Sequence, residues 1–493
     1  MSVYNLTELI HGLKQGETQL VRNYYKSVPK LKDNTKRLKL FELIKKNKSI
    51  SDADACKELY NTPLNNTFSQ LKKRLRDDIL NVLLLQDSKS RFNTPYARAE
   101  FDTRRKIIEG DILISRGITK DGIKTLKDAL KLAEQYELFS ESITINELLM
   151  GEFTFIKGIK EYEKYKAKID VQSKNLEAHL KAKTYYHKII APSLFKLKDK
   201  DDYIKFAKQA TNELKEDYKA TKSNKIGYYY YYIATLYYNL SKNYKEALRF
   251  AEKFLEINTK SKAVSSKRTI ATAYLQLSYI NLQLQYYNKA ISNAENAIKN
   301  FKAGLLNELT TLELLFLSYF YSKNEKEAAL TLEKALAHPK LNSNKFLPAK
   351  WHYYRSCLLF QQGKFDEANT AMNDCTYLLE DKTGWLYGYR ILDIMITLEC
   401  NELFLVDGKV ANFKKIIGKQ KEINSSRAKT TLKILDALVR KHYDYNLAAK
   451  SQNANLMILA EGKNNHLWEP MGYELIRFEE WFATKLSKKR KLG

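Results

Sequence analysis

The sequence predicts an all-α fold: a right-handed α-solenoid of stacked helix pairs, with a helical N-terminal cap and capping helices at the C-terminal end. Three observations lead there. Glycine (17) and proline (7) are scarce in 493 residues, so little interrupts helix formation. Apolar side chains recur at helical rather than strand spacing through most of the chain. A motif built around one small residue also recurs, with Ala247, Ala290, Ala328 and Ala368 separated by 43, 38 and 40 residues.

The motif begins with "NYKEALRFAEKFL" (243–255) and returns as "YYNKAISNAENAI" (286–298), "NEKEAALTLEKAL" (324–336) and "KFDEANTAMNDCT" (364–376). An earlier copy is "GITKDGIKTLKDAL" (117–130), with Gly122 at the small position. A small residue suits the point where two helices of a hairpin cross closely. A second small or apolar residue follows two turns later (Ala129, Phe254, Ala297, Ala335, Cys375), placed to pack on the next pair. Gly117 and Gly363 stand where a first helix stops, a place that favours a left-handed backbone.

These residues resemble the tetratricopeptide repeat. "GKFDEA" (363–368) fits that family's opening, "NYKEAL" fits with Lys242 in the glycine position, and Gly110 falls at the first-helix small position. The units exceed the family's usual length, and its unit-ending proline is mostly missing. The detectable resemblance spans about 95–380, with a gap. "FSQLKKRLRDDILNVLLLQDS" together with the repeats also resembles uncharacterised cytoplasmic bacterial repeat proteins, which implies no activity.

Four segments are expected: an N-terminal helical domain (1–92), degenerate repeats and long helices (93–220), the regular repeats (221–380), and C-terminal helix pairs with a cap (381–493). In the first, helices are expected near 5–27, 34–47, 51–60 and 66–86, with Ser51 and Asn65 or Asn66 as caps. Two short helices, a turn and a basic helix give a helix-turn-helix outline, with Lys72, Lys73, Arg74 and Arg76 as candidate nucleic-acid contacts. The competing reading is an amphipathic helix capping the array. "SLFKLKDKDDYI" reads as a turn, as does the stretch with Asp407 and Gly408. "MGYELIRFEEWFATKL" reads as a closing helix and "SKKRKLG" as a basic tail.

Tyr228–Tyr232 lie on the first helix of the "NYKEAL" hairpin. Five consecutive positions encircle a helix, so no single use accounts for them all. Packing with hydroxyls at the rim and contact with a partner are both open. The family's geometry implies that Tyr229, Tyr232 and Leu236 line the inner groove, followed by Leu275, Tyr279 and Phe320. Some members hold a terminal carboxylate with Lys and Asn from first helices. The corresponding positions here are Tyr232, Leu236, Leu275 and Tyr279, which cannot clamp a carboxylate, so the groove is expected to take an apolar or aromatic segment.

Charge and missing motifs narrow the function. Lys and Arg number 84 against 57 acids, a net charge of +27 that favours an acidic partner or a polyanion. The excess is mostly lysine alongside abundant Asn, Ile and Tyr, the composition of AT-rich coding, and lysine is the poorer fork for phosphate. No phosphate-binding loop, dinucleotide fingerprint or metal-ligand spacing occurs. His179 and His187 share a helix without a third ligand and read as surface or groove residues. No leader and no membrane span are read, and scattered cysteines suit a reducing cytoplasm. The expectation is a non-enzymatic cytoplasmic scaffold that binds a protein or peptide, possessing neither catalytic nor metal residues and needing no cofactor or membrane. The alternative is a nucleic-acid-binding or transcription-regulating protein. If Ala290 marks a close crossing, Ala290→Leu overpacks it and costs about 1–3 kcal/mol; an unchanged urea midpoint would contradict the register.

Overall fold

Close helix crossings at glycine, alanine and serine organise the larger part of the chain. The computed structural model describes residues 6–27, 34–85, 88–191, 200–381, 384–419, 426–462 and 465–488, and every regular element among them is helical. The chain divides into two units, 1–108 and 109–493.

The first unit holds α1 (Leu6–Gly12), α2 (Gln15–Ser27), α3 (Asn34–Lys46), α4 (Asp52–Tyr60), α5 (Asn66–Leu84) and the short α6 (Ser88–Arg91). The single helix expected over 5–27 is broken at Leu13–Lys14, where Glu17 accepts from the Lys14 amide at 2.7 Å and starts α2. Ser51 caps α4, and Asn65 rather than Asn66 caps α5. Phe68, Leu71, Leu75, Ile79 and Val82 form the buried stripe of α5. Beneath it Asp78 accepts from Arg37 and from the Tyr25 hydroxyl, both at 2.8 Å, so its buried charge is paired.

The unit boundary falls within α7 (Pro95–Ser115). Then follow α8 (Thr119–Gln135), α9 (Phe139–Lys157), the long α10 (Ile159–Ile190), α11 (Lys200–Thr221), α12 (Asn224–Leu240), α13 (Tyr244–Lys260), α14 (Lys267–Gln283), α15 (Tyr287–Asn300), α16 (Leu306–Tyr321) and α17 (Glu325–Leu336). The chain continues through α18 (Phe346–Gln361), α19 (Phe365–Met372) with a 3-10 extension (Asn373–Glu380), α20 (Trp385–Glu399), α21 (Leu403–Lys419), α22 (Ser426–Arg440), α23 (Tyr445–Ser451), α24 (Asn453–Glu461) and α25 (Phe478–Lys488). From α8 to α18 each helix packs on the next, and first helices also touch one another: α14 with α16, α18 with α20, α20 with α22. This is an all-α solenoid of tetratricopeptide-like pairs.

The expected crossings are present. Ala247, Ala290, Ala328 and Ala368 are fully buried. A methyl group on Gly122 would come within 2.9 Å of the Gly110 carbonyl oxygen, and one on Gly110 within 2.7 Å of Leu126. In two repeats a first-helix serine bonds to the carbonyl of the crossing alanine twelve residues on: Ser278 to Ala290 at 2.8 Å and Ser356 to Ala368 at 2.9 Å. The turns also repeat. Gly117, Lys242, Gln285, Lys323, Gly363 and Asn401 all take positive φ, and the next amide reaches back five residues, as from Asn243 to Tyr238. Lys242 therefore adopts the backbone of the glycine it replaces.

Two expectations are corrected. Asp407 and Gly408 lie within α21; the turn is at Cys400–Glu402, where Asn401 takes the left-handed conformation. "MGYELIRFEEWFATKL" is helical only from Phe478, because residues before it bond to neighbouring helices instead of to themselves. The turn around 193–199 and the tail beyond Lys488 lie outside the described residues.

The long pair α10–α11 separates α9 from α12 in sequence, and Glu137 bridges the gap. From the α8–α9 turn its carboxylate accepts from the Ser223 hydroxyl (2.6 Å) and from the amides of Asn224 (2.8 Å) and Lys225 (3.0 Å). A negative charge on free amides at the start of α12 is favourable for both bonding and dipole reasons. Glu137→Ala is expected to cost about 2–3 kcal/mol, read as a lowered denaturation midpoint with faster amide exchange at the start of α12.

Candidate functional site

The tyrosine run lies at a junction of three helices. Tyr229 and Tyr232 pack on Tyr186 of α10, with ring centres 5.4 and 5.1 Å apart. Tyr230 and Tyr231 meet Tyr218 of α11, and Tyr228 and Tyr232 meet Phe254 of α13. Neighbours on several sides explain why consecutive positions are aromatic. Leu236 joins the same cluster. The face bearing Tyr229, Tyr232 and Leu236 is thus packed against α10, while Leu275 and Tyr279 border the larger core cluster that contains Phe320. Phe320 is buried yet lines a cavity of about 540 Å³.

That cavity is bounded by a segment whose latter part, from Met471, the sequence predicts to be helical. Residues 465–477 form an irregular strap across the first helices α16, α18, α20 and α22. The Tyr321 hydroxyl donates to the Pro470 carbonyl at 2.7 Å, and the Tyr353 hydroxyl donates to the Tyr473 carbonyl at 2.8 Å. Burial raises both phenols well above their ordinary range, so they stay protonated and able to donate. At α20 the strap passes so close that a methyl on Gly388 would fall 2.1 Å from the Tyr473 carbonyl oxygen. Trp468 meets Tyr321 edge-on at 5.2 Å, and Glu469 pairs with Lys242 in the α12–α13 turn.

The C-terminal end of the strap is held by Arg427 of α22. Its guanidinium bonds both oxygens of Glu474 at 2.8 Å and Glu479 at 2.6 Å, and it also donates to the carbonyls of Leu459 and His466. Burial works against this charge, but the two carboxylates outweigh it and raise the guanidinium above its usual value. Beyond the strap, Glu399 accepts from Trp481 at 2.6 Å and pairs with Lys485 at 2.5 Å, fixing α25. A second cavity, of about 620 Å³, includes Lys242, Trp385, Arg427 and Trp468 in its lining, so open space flanks the strap.

In the first unit, Lys72 pairs with Asp52 at 2.7 Å and Arg76 lies 3.5 Å from Asp77. Lys73 and Arg74 are exposed on the same helix. Lys72 and Arg76 therefore sit beside carboxylates, which reduces the charge offered to phosphate. Among the described residues no cluster of His, Cys, Asp and Glu could hold a metal, and no helix is long and apolar enough to cross a membrane. Cys357 and Cys375 are buried, and burial raises both thiols, which leaves them poor nucleophiles.

The sequence missed Tyr321, Tyr353, Gly388 and Arg427. Their roles depend on the strap, and the available signal was the pair of helix breakers Pro470 and Gly472 within an acidic, aromatic stretch. The chain resembles tetratricopeptide-repeat proteins. Among solved structures it is similar to the apo form of RapI, at 12% identity and a TM-score of 0.44 over 75% of this chain and 98% of that one. It is also similar to a Signal Transduction ATPase with Numerous Domains (STAND) protein with a tetratricopeptide repeat sensor from Pyrococcus horikoshii, at 15% identity and a TM-score of 0.30 over 94% and 66%. No family model and no curated protein matches.

His179, read as a surface or groove residue, is half-buried between Phe139 and Tyr229, with its Nδ1 unbonded. Burial, then Lys225 and Lys183, lowers it to about 4. The unfolded chain takes up this proton near pH 6.5, so the neutral ring's contribution is complete above that pH and declines toward pH 4. Stability is expected to fall by on the order of 2–3 kcal/mol across that window. His179→Leu should remove this part of the pH dependence in denaturant titrations.

Proposed function

We propose that this chain is a non-enzymatic scaffold that binds an extended segment of a protein partner along the first helices of its array. The observation that supports the reading most directly is chemical. Those helices already hold one irregular, non-helical segment by donating to its backbone carbonyls from Tyr321 and Tyr353, and main-chain bonding of this kind accepts many sequences. Aromatic and charged neighbours then supply selectivity. Tyr279 and Phe320 belong to this surface: Tyr279 lies within the electrostatic field of Glu469, and Phe320 lines the adjoining cavity. Leu275 extends it along α14. Tyr229, Tyr232 and Leu236 would contact a partner where α10 leaves their edges exposed.

The groove offers Lys242 to acidic groups, in keeping with an acidic partner. The arrangement at Tyr232, Leu236, Leu275 and Tyr279 does not suit a carboxylate clamp, so recognition should be internal to the partner's segment. We place the protein in the cytoplasm on the strength of its scattered, unpaired cysteines.

Affinity capture with the full chain, with and without nuclease, tests the proposal. Protein partners should be retained in both, and Tyr279→Ala combined with Tyr321→Phe should reduce their recovery about tenfold, the loss of one aromatic contact and one buried hydrogen bond. Recovery that disappears with nuclease and ignores the double substitution would overturn the proposal in favour of nucleic-acid binding through Lys72, Lys73, Arg74 and Arg76.

A further inference from the structure

We infer that the strap is a displaceable occupant of the partner groove, and that the partner segment replacing it is itself a non-helical peptide that pairs aromatic with acidic residues. This rests on the groove's being the protein-binding surface.

The strap packs on the core through Met471, Tyr473, Leu475 and Ile476, but its polar contacts are those of a bound peptide. Two of its carbonyls are taken by side-chain hydroxyls, a neighbouring backbone is admitted by Gly388, and its tryptophan and first glutamate meet Tyr321 and Lys242. Its composition departs from that of the chain. Residues 465–477 carry Glu469 and Glu474 against a single Arg477, with Trp468 and Tyr473 as their aromatic residues, in a protein of net charge +27. The acidic and aromatic character that fits the groove in cis therefore defines what fits it in trans.

The packing also marks which part can leave. Open clefts of about 540 and 620 Å³ border the strap, and Trp468 and Glu469 are only half-buried. The flanks are firmer: α24 ends at Gly462 in a left-handed cap, while Phe478 and Phe482 of α25 are fully buried. Glu474 is locked to buried Arg427. Residues 467–473 can thus lift while Arg427 keeps its bonds to the His466 carbonyl and to Glu474, which makes the segment a gate on the groove rather than one of its walls.

A labelled synthetic peptide with the sequence of residues 465–474 probes this on the full chain. Trp468→Ala/Glu469→Lys weakens the strap without touching the groove, removing a ring contact and placing like charges together. It should bind the peptide about tenfold more tightly than the unmodified chain, with faster amide exchange over 467–473. Adding Lys242→Glu restores an ion pair of reversed sign, so exchange should slow and the gain in affinity should fall. If the strap's exchange is unchanged in the double variant, the strap is a fixed wall and the inference fails. If the unmodified chain binds as tightly as the variant, the groove takes peptides ungated; the inference fails and the scaffold reading survives. If the strap exchanges faster but the exposed groove takes no peptide, both fail. Thermal unfolding followed by circular dichroism separates these results from loss of fold.

Discussion

The array depends on how closely two helices of a hairpin can approach. Where Ala290 and Ala368 cross their first helices, the small side chain lets a serine on the facing helix reach a main-chain carbonyl. At Gly110 and Gly122 neither position has room for a methyl. That separation fixes where longer side chains point, and so which apolar residues remain to cover the next pair. A helix in isolation gains little in water; it is the stacked neighbour that makes each amphipathic face stable.

An array built this way must also satisfy its helix ends. Most hairpin turns do so locally, with one left-handed residue and a backbone bond reaching back five positions. The junction around α12 does so at long range through Glu137, because α10 and α11 intervene in sequence. The intervening pair also gives the tyrosine run its environment. With α10, α11 and α13 all touching α12, each turn of that helix must present an aromatic face in more than one direction. Tyrosine suits such a position, since its ring packs while its hydroxyl remains at the margin.

The repeated helix pairs, their crossing residues and most turns were legible because each is governed by local chemistry: a small residue at fixed spacing, a helix stop, an N-cap. Lys242 shows how far this extends, since the repeat's register identified its backbone conformation despite the wrong residue type. The strap was not legible for the converse reason. Met471–Arg477 has helical spacing and adjoins a true helix, and what draws it out is a set of donors supplied by Tyr321, Tyr353 and Arg427, up to about 150 residues earlier in the chain. Propensity describes a segment's preference among local states and carries no record of carbonyl acceptors satisfied elsewhere. Of the six residues read as groove contacts, Tyr279 and Phe320 lie close to the strap, whereas the Tyr229 face meets α10, which periodicity could describe as a helix without saying where it packs.

The strap also bears on what the protein's charge means. Uniform excess lysine would attract any polyanion weakly and without choice. Two basic residues at the groove behave differently: Lys242 and Arg427 each face a carboxylate of the strap, and Arg427 is buried with its guanidinium fully engaged. A buried cation stripped of its carboxylates would be strongly unfavourable, so Arg427 demands an acidic neighbour in every folded state. Lys242 is half-exposed and makes no such demand, and its carboxylate can be exchanged at little cost. Arg427 therefore holds the strap permanently at His466 and Glu474, whereas the Lys242–Glu469 pair between those points is a replaceable contact. This difference lets the segment between two fixed points open without losing either tether.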